Sequence, residues 1–304
     1  MKKLALVFSL MVVSLPLIAE ELVKAGEEEE AIILAEPVAK NTRVAALGSS
    51  NTAETAPGQI EAPAPKPSEA KIFGLLDLRP SYDRGTGALR SENTIEGGYQ
   101  FNKNHRLTYT QWWNTTKDLY QGVYAHDGFF RFRANNLWSS GPLSLNYQGR
   151  LFLPTFATRR EAGFVGSLFN QMQLALTLSP AWSVSLSTAP TLPYYSRASH
   201  NGKANLAFEN MAVASVDWTP FTPFTLSLPF YLISRKTRAA AVPGSTDWSH
   251  LLVFWPEATY TIDANHAVGL SFYTDNLVTP TMDQFTIDKG IANGVIQAFW
   301  TVRI

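Results

Sequence analysis

Histidine and serine are the side chains of this sequence that could carry out hydrolysis, but their spacing gives no catalytic set. A serine nucleophile needs a base within hydrogen-bond reach and a third group that orients the base. The five histidines fall in predicted turns, in or beside predicted loops, or at a strand start; they are His105, His126, His200, His250 and His266. The chain has no cysteine, which excludes disulfides and thiolate metal sites. The sequence therefore predicts no catalytic residue, no cofactor and no metal site.

Charged and amide side chains that recur at every second position indicate contacts with a passing solute instead. By their parity, the residues predicted to line the interior of a closed sheet are Asp77, Arg79, Glu96, Gln100, Arg131, Arg133, Gln148, Arg150, Gln171, Gln173, Glu257, Asp275 and Arg303. In a channel, rings of opposite charge set a transverse field that a solute crosses. Alternatively, the acids and bases pair and close the interior, because buried charges are costly unless paired. Since both signs occur, no preference for anions or cations is predicted.

The first nineteen residues have the pattern of a secretory signal peptide. Lys2 and Lys3 precede an uncharged apolar run from Leu4 to Ala19. The run contains Pro16 and is short for a bilayer core of roughly 30 Å, so cleavage is favoured over a permanent anchor. Export, and the lack of a clustered Lys/Arg stripe, argue against nucleic acid as a partner.

Residues 20–71 are rich in Ala, Glu and Pro and predict a flexible periplasmic linker. Residues 20 to 70 contain ten acidic and four basic side chains, including the run from Glu27 to Glu30. The short apolar patch from Ala31 to Ala35 is a candidate contact for a periplasmic partner, such as an inner-membrane energy-coupling protein. A plain linker is the favoured interpretation, because the segment is too small for the plug domain of such transporters.

From residue 72 onward, the sequence alternates apolar and polar residues in segments that mostly reach the roughly 9–11 residues of a tilted membrane strand. Twelve strands are predicted, at 72–82, 92–101, 106–114, 128–138, 143–154, 164–178, 182–194, 205–218, 224–233, 248–262, 267–275 and 290–304. Their connections alternate in length. The long ones lie near 83–91, 115–127, 155–163, 195–204, 234–247 and 276–289, and the tight ones at 102–105, 139–142, 179–181, 219–223 and 263–266.

The last strand is apolar on one face up to the final residue, through Ile296, Ala298, Trp300, Val302 and Ile304. In this strand and in its alternating loops, the chain resembles bacterial outer-membrane β-barrels, although the class more often ends on an aromatic residue. The resemblance implies an all-β, antiparallel up-and-down transmembrane barrel over 72–304, with apolar rows facing lipid and lipopolysaccharide and polar rows facing inward. It also implies a C-terminal strand recognised by the barrel-assembly machinery, and an even strand number leaves both barrel ends on the periplasmic side.

A soluble β-sandwich would bury the same alternating rows, so periodicity alone does not place the chain in a membrane. Aromatic residues near strand ends favour the membrane, because they suit an interfacial girdle. They include Tyr99, Phe101, Tyr109, Trp138, Trp182, Trp218, Phe221 and Phe224.

Two short stretches are similar to outer-membrane phospholipase, a family that uses Ser, His and Asn on the outer wall of its barrel. They are Tyr109-Thr110-Gln111-Trp112-Trp113 and Ser199-His200-Asn201-Gly202. The family's pairing of a histidine with a serine two residues later is absent, since residue 202 is glycine. Chance loop composition is therefore the favoured explanation of this similarity.

Three functions follow from these patterns. The leading hypothesis is a porin-like channel for passive diffusion of small hydrophilic solutes or ions. A barrel of twelve strands lies between filled eight-stranded and open sixteen-stranded ones, so a narrow, partly occluded pore is expected. The second is a non-conducting structural or surface-interaction barrel, and the third is a lipid-modifying enzyme. Solute identity and oligomeric state are not predicted.

Overall fold

The structure, a computed structural model, describes residues 71–116, 122–238 and 247–303. The predicted signal peptide (1–19), the predicted linker up to residue 70 and the terminal Ile304 lie outside the described residues. The strands are β1 (Lys71–Asp83), β2 (Ala88–Gln100), β3 (His105–Thr116), β4 (Gly122–Ala125), β5 (Phe129–Ser140), β6 (Leu143–Phe152), β7 (Phe164–Ser179), β8 (Trp182–Tyr195), β9 (Ser199–His200), β10 (Lys203–Ala204), β11 (Leu206–Phe221), β12 (Phe224–Thr237), β13 (Trp248–Phe254), β14 (Glu257–Thr261), β15 (His266–Tyr273) and β16 (Val295–Arg303). The helices in these ranges are α1 (Ala157–Glu161) and α2 (Ile287–Ala292).

Fourteen of the strands form one antiparallel sheet that closes on itself. β1 pairs with both β2 and β16, and β11 pairs with both β8 and β12. β4 and β5 share one position in the wall because both pair with β3, and β13 and β14 share another because both pair with β12. The predicted up-and-down barrel of twelve wall positions is confirmed.

One of the two split wall positions has a local cause, and both keep hydrogen bonds to the neighbouring strand. Pro256, between β13 and β14, has no amide hydrogen to donate to the ladder, but its carbonyl still accepts from the Phe272 N–H at 3.0 Å. Between β4 and β5, the His126 N–H still donates to the Trp112 carbonyl at 3.0 Å. The chain therefore follows the wall across both interruptions.

Five tight connections lie at one end of the barrel, at 101–104, 141–142, 180–181, 222–223 and 262–265. The opposite end, called the loop end below, carries the longer connections, including 153–163 with α1, 196–205 with the β9–β10 hairpin, and 274–294 with α2. The alternation predicted from the sequence therefore holds, with corrections to the predicted boundaries at the loop end.

β4 lies inside the connection predicted at 115–127, and β12 continues to Thr237, inside the connection predicted at 234–247. The connection predicted at 83–91 is a turn of residues 84–87, because β1 and β2 pair as far as Asp83 and Ala88. Gly87 adopts a positive φ of 70° there, a conformation that glycine takes without a Cβ clash. The last strand was predicted to start at 290, but α2 runs to Ala292 and β16 starts at Val295.

The wall has its apolar face outward, the reverse of a soluble β-protein. In β8, Ser183, Ser185 and Ser187 are buried, whereas Leu186 is 44% exposed. The same outward exposure recurs around the wall, at Ile95, Leu107, Phe130, Leu151, Leu168, Phe230, Leu270 and Trp300. A contiguous apolar surface of this kind marks contact with lipid or with another apolar partner.

Aromatic rings gather at the turn end of the wall. Ring centroids lie 5.7 Å apart for Trp182 and Trp218, which flank adjacent turns, and 5.0 Å apart for Tyr99 and Phe101. Rings with a polar edge at this height suit the interfacial region of a bilayer.

Neither α1 nor α2, the helices within the described ranges, has the length and hydropathy that a membrane span requires.

Candidate functional site in the barrel interior

Most of the side chains predicted to line the interior lie on the inward rows of the wall. Those that are buried are Asp77, Arg79, Glu96, Arg131, Arg133, Gln148, Arg150 and Glu257. Those that are partly buried are Gln100, Gln171, Gln173 and Arg303. Asp275 is exposed, because β15 ends at Tyr273 and Asp275 belongs to the following connection rather than to a strand. The strand predicted to reach residue 275 was two residues too long.

One ion-pair cluster centres on Arg79 of β1. Its Nε donates to Asp77 Oδ2 at 2.7 Å, and its NH1 group donates to Glu257 Oε2 at 3.1 Å. The Thr301 hydroxyl also donates to Asp77 Oδ1 at 3.1 Å. β14 is three positions along the wall from β1, so the Arg79–Glu257 contact spans the faces of β15 and β16. The cluster holds two carboxylates around one guanidinium.

A second cluster links β2, β3 and β5. Arg131 NH2 lies 2.9 Å from Glu96 Oε2 and donates to Thr110 Oγ1 at 3.1 Å. The Thr110 hydroxyl in turn donates to Glu96 Oε2 at 3.0 Å. Arg131 has no exposed surface, so water does not fill the interior at this point.

A hydrogen-bonded ladder of one arginine, two glutamines and one serine crosses four neighbouring wall positions, and we call it the amide ladder. Arg133 Nε donates to Gln148 Oε1 at 3.0 Å, and Gln148 Nε2 donates to Gln171 Oε1 at 3.1 Å. Gln171 Nε2 then donates to the Ser187 hydroxyl oxygen at 3.1 Å. The structure thus brings three of the predicted lining residues into one hydrogen-bonded track along β5, β6, β7 and β8.

Arg150 of β6 is held differently from the other three arginines. Its guanidinium lies 4.6 Å from the ring centroid of Phe169 and 5.2 Å from that of Phe129. Within the described ranges it has no ion pair, and its Nε has no hydrogen-bond partner. Longer-range charge interactions link it to Glu96 and Tyr231.

Side chains from separate parts of the wall interact electrostatically inside the barrel. Tyr231 of β12 interacts electrostatically with Arg79, Arg150 and Glu257, and Arg150 with Glu96. These five residues come from β1, β2, β6, β12 and β14. We call their meeting point the lumen constriction.

An apolar cluster fills part of the interior beside the lumen constriction, towards the loop end. Its buried members are Phe129, Phe152, Phe164, Phe169, Ala189, Met211 and Ile233. The rings of Phe129 and Phe152 lie 4.8 Å apart, and Tyr231 packs against the cluster. The barrel is thus narrowed by polar and apolar side chains together.

Sequence reasoning missed the aromatic part of this site. Phe129 and Phe169 share the parity of Arg131 and Gln171, which is the signal that could have placed them inside. Tyr231 lies on the inward row of β12, opposite the row of Leu226, but was not proposed as a lining residue. Apolar residues on an inward row were the cue that the interior is partly filled.

Contacts between two connections fix the rim at the loop end. Asp127 Oδ2 lies 2.6 Å from Arg159 NH1, and Asp127 Oδ1 accepts the Phe156 N–H at 2.9 Å. The His126 ring packs 5.0 Å from Trp112 and 5.5 Å from Phe156. Segment 126–128 is therefore tied to connection 153–163, and we call these contacts the rim latch.

The rim latch is expected to loosen in acid. Burial lowers the pKa of the His126 imidazole below its ordinary value of 6.5, Asp127 raises it and Arg159 lowers it further. Because the open latch binds the proton more readily than the closed one, the latch loses stability as the pH falls below 6.5. Limited proteolysis should cleave near residues 126–128 faster at acidic than at neutral pH. In His126→Gln the cleavage rate should not change with pH, and a wild-type rate without pH dependence would contradict the prediction.

The structure gives little support for a hydrolase. Ser199 and His200 lie on the short β9–β10 hairpin, and His126 is part of the rim latch. A Ser–His contact exists elsewhere, where His250 Nδ1 lies 3.0 Å from the Ser234 hydroxyl oxygen on the outward face. A base needs a third group to orient it, and no described residue hydrogen-bonds to Nε2 of His250.

Comparison with known proteins gives a likeness of structure alone. No protein-family model and no curated protein matches the sequence. The NanC porin superposes with a TM-score of 0.51 at 9% identity, covering 75% of this chain and 100% of that chain. An outer membrane channel from Pseudomonas putida F1 superposes with a TM-score of 0.54 at 13% identity, covering 83% of this chain and 100% of that chain. The chain therefore has the β-barrel fold of outer-membrane channels.

Proposed function

We propose that the protein is a narrow, porin-like channel of the outer membrane for passive diffusion of small hydrophilic solutes or ions. The observation that carries this proposal is the pairing of an outward apolar surface with inward polar rows that continue through the lumen constriction. The amide ladder of Arg133, Gln148, Gln171 and Ser187 supplies hydrogen-bonding groups that can replace solute hydration along the wall. The likeness in fold to the NanC porin agrees with this proposal.

The surroundings of the channel belong to the same proposal. The outward rows would contact outer-membrane lipid and lipopolysaccharide, and the last strand would be recognised by the barrel-assembly machinery. The segment before β1 would lie in the periplasm, where residues 20–70 could meet a periplasmic partner. The tight connections would then face the periplasm and the rim latch the outside, as is usual for outer-membrane barrels.

A planar-bilayer recording tests the channel directly. Full-length mature protein, refolded in detergent and added to the bilayer, is expected to produce discrete conductance steps that are small beside those of open sixteen-stranded porins. If the folded barrel passes no current at any of several voltages and pH values, the proposal is wrong.

The second candidate is a non-conducting barrel. It is favoured by the complete burial of Arg131 and by the inward apolar cluster, which both reduce the water-filled cross-section. Absence of current from correctly folded protein would support this candidate over the channel.

A further inference from the structure

We propose that Arg150 forms a binding site for one small carboxylate anion inside the lumen constriction. The inference rests on the proposed function for its position on a solute path, but the binding itself can be measured without any current. It begins from a difference among four inward arginines, namely Arg79, Arg131, Arg133 and Arg150.

Three of the four arginines donate hydrogen bonds to protein oxygens. Arg79 and Arg131 contact carboxylates at 2.7 and 2.9 Å, and Arg133 contacts an amide oxygen at 3.0 Å. Arg150 is only 4% exposed and has neither an ion pair nor a hydrogen bond within the described ranges. An arginine side chain does not lose its proton in proteins, so Arg150 carries a buried positive charge that no neighbouring carboxylate contacts.

The neighbours of Arg150 hold it without neutralising it. The Phe129 and Phe169 rings attract the guanidinium through their faces. A ring, however, provides no oxygen acceptor for the N–H groups at the edge of the guanidinium. Glu96, the nearest carboxylate by charge interaction, already accepts from Arg131 and Thr110. The positioned cation therefore retains donors for an acceptor that the protein does not supply.

A carboxylate suits these donors for two reasons. The planar fork of a guanidinium matches the two oxygens of a carboxylate, so both can be bound at once. Tyr231 of β12 packs against the cluster that contains Phe129 and Phe169, and its hydroxyl can donate a further hydrogen bond. Formate is the smallest carboxylate and is therefore the probe for this enclosed position. The inward arginine at this height would give the channel a preference for small anions.

Binding is tested by the thermal unfolding of the full-length barrel in detergent, with formate replacing chloride, an anion without a carboxylate, at constant ionic strength. The wild-type unfolding midpoint should rise saturably with formate. In Arg150→Gln this rise should disappear, because we expect formate to bind at least about tenfold more weakly. A tenfold loss of affinity corresponds to about 1.4 kcal/mol of binding free energy. Arg133→Gln is the matched control: it removes the same charge from the next wall position, but its guanidinium already donates to Gln148. The control should keep the formate response.

Stability in chloride alone provides a second readout. Because Arg150→Gln removes a buried charge without a partner, this variant should unfold at a midpoint equal to or above that of the wild type. A lower midpoint would overturn the inference, since it would show that the protein already compensates the charge. Equal formate responses in Arg150→Gln and the wild type would overturn it as well.

Bilayer recordings separate this inference from the proposed function. If the protein conducts, the reversal potential in a salt gradient should show an anion preference that falls in Arg150→Gln and falls less in Arg133→Gln. If it does not conduct but formate still raises the wild-type midpoint, the channel proposal fails and the binding site stands. If the protein conducts but formate does not raise the wild-type midpoint, the channel proposal stands and the binding site is refuted.

Discussion

Replacing Arg79 with methionine is expected to lower the free energy of unfolding of the barrel by about 3–5 kcal/mol. The substitution leaves Asp77 and Glu257 buried, with exposures of 2% each, and without the cation that both contact. Breaking a buried pair in this way is costly, because the remaining charges stay in a medium that solvates them poorly. Urea unfolding of the refolded barrel in lipid vesicles, followed by tryptophan fluorescence, measures the difference.

The controls for this prediction lie in the same interior. Arg79→Met combined with Asp77→Asn and Glu257→Gln should recover much of the lost stability, because neither of the two carboxylates that contact Arg79 is left charged. Arg150→Met exchanges the same two residue types at a position without an ion pair and should not destabilise the barrel. If Arg79→Met and Arg150→Met change stability by similar amounts, the assignment of the ion-pair cluster is wrong.

Replacing Tyr231 with alanine is expected to raise the single-channel conductance severalfold. Tyr231 lies on the inward row of β12, packs against the apolar cluster and interacts electrostatically with Arg79, Arg150 and Glu257. Its removal opens space inside the lumen constriction, where we expect the resistance to ion flow to be greatest. The measurement is the conductance step in planar bilayers under the conditions used for the wild type.

Tyr260→Ala provides the matched control for Tyr231→Ala. Tyr260 is 46% exposed on the outward row of β14, so its removal should leave the conductance step unchanged. An equal change in both variants would show that the conductance reflects general loosening of the wall. No change in Tyr231→Ala would place the narrowest point elsewhere.

The fold was largely predictable because successive side chains of a strand point to opposite faces of the sheet. Residues 182–187, for example, read as apolar and serine rows, and the structure separates Leu186 from Ser185 and Ser187 in the same way. Strand boundaries at the loop end were less predictable. Asp83 and Ala88 extend the pairing of β1 and β2 beyond the predicted strands, because a turn closed by Gly87 replaces a long loop.

Parity predicts which side chains lie on the inward rows, but it does not predict which of them contact each other. Parity placed Arg79, Arg131 and Arg150 on inward rows, yet it contains no information on which strands face each other across the interior. The Arg79–Glu257 contact joins residues 178 positions apart in sequence, and only closure of the sheet brings them together. For the same reason, the lack of a partner for Arg150 became visible only once Glu96 was seen to contact Arg131.

The orientation of the wall is the central claim, and spin labels along β8 test it most directly. The chain contains no native cysteine, so single cysteines at positions 183 to 187 can be labelled without background. In lipid vesicles, labels at 184 and 186 should be accessible to oxygen and shielded from a water-soluble nickel reagent, with the labels at 183, 185 and 187 much less accessible to oxygen. An accessibility profile without a period of two, or one with its oxygen maxima at 183, 185 and 187, would contradict a barrel whose apolar rows face lipid.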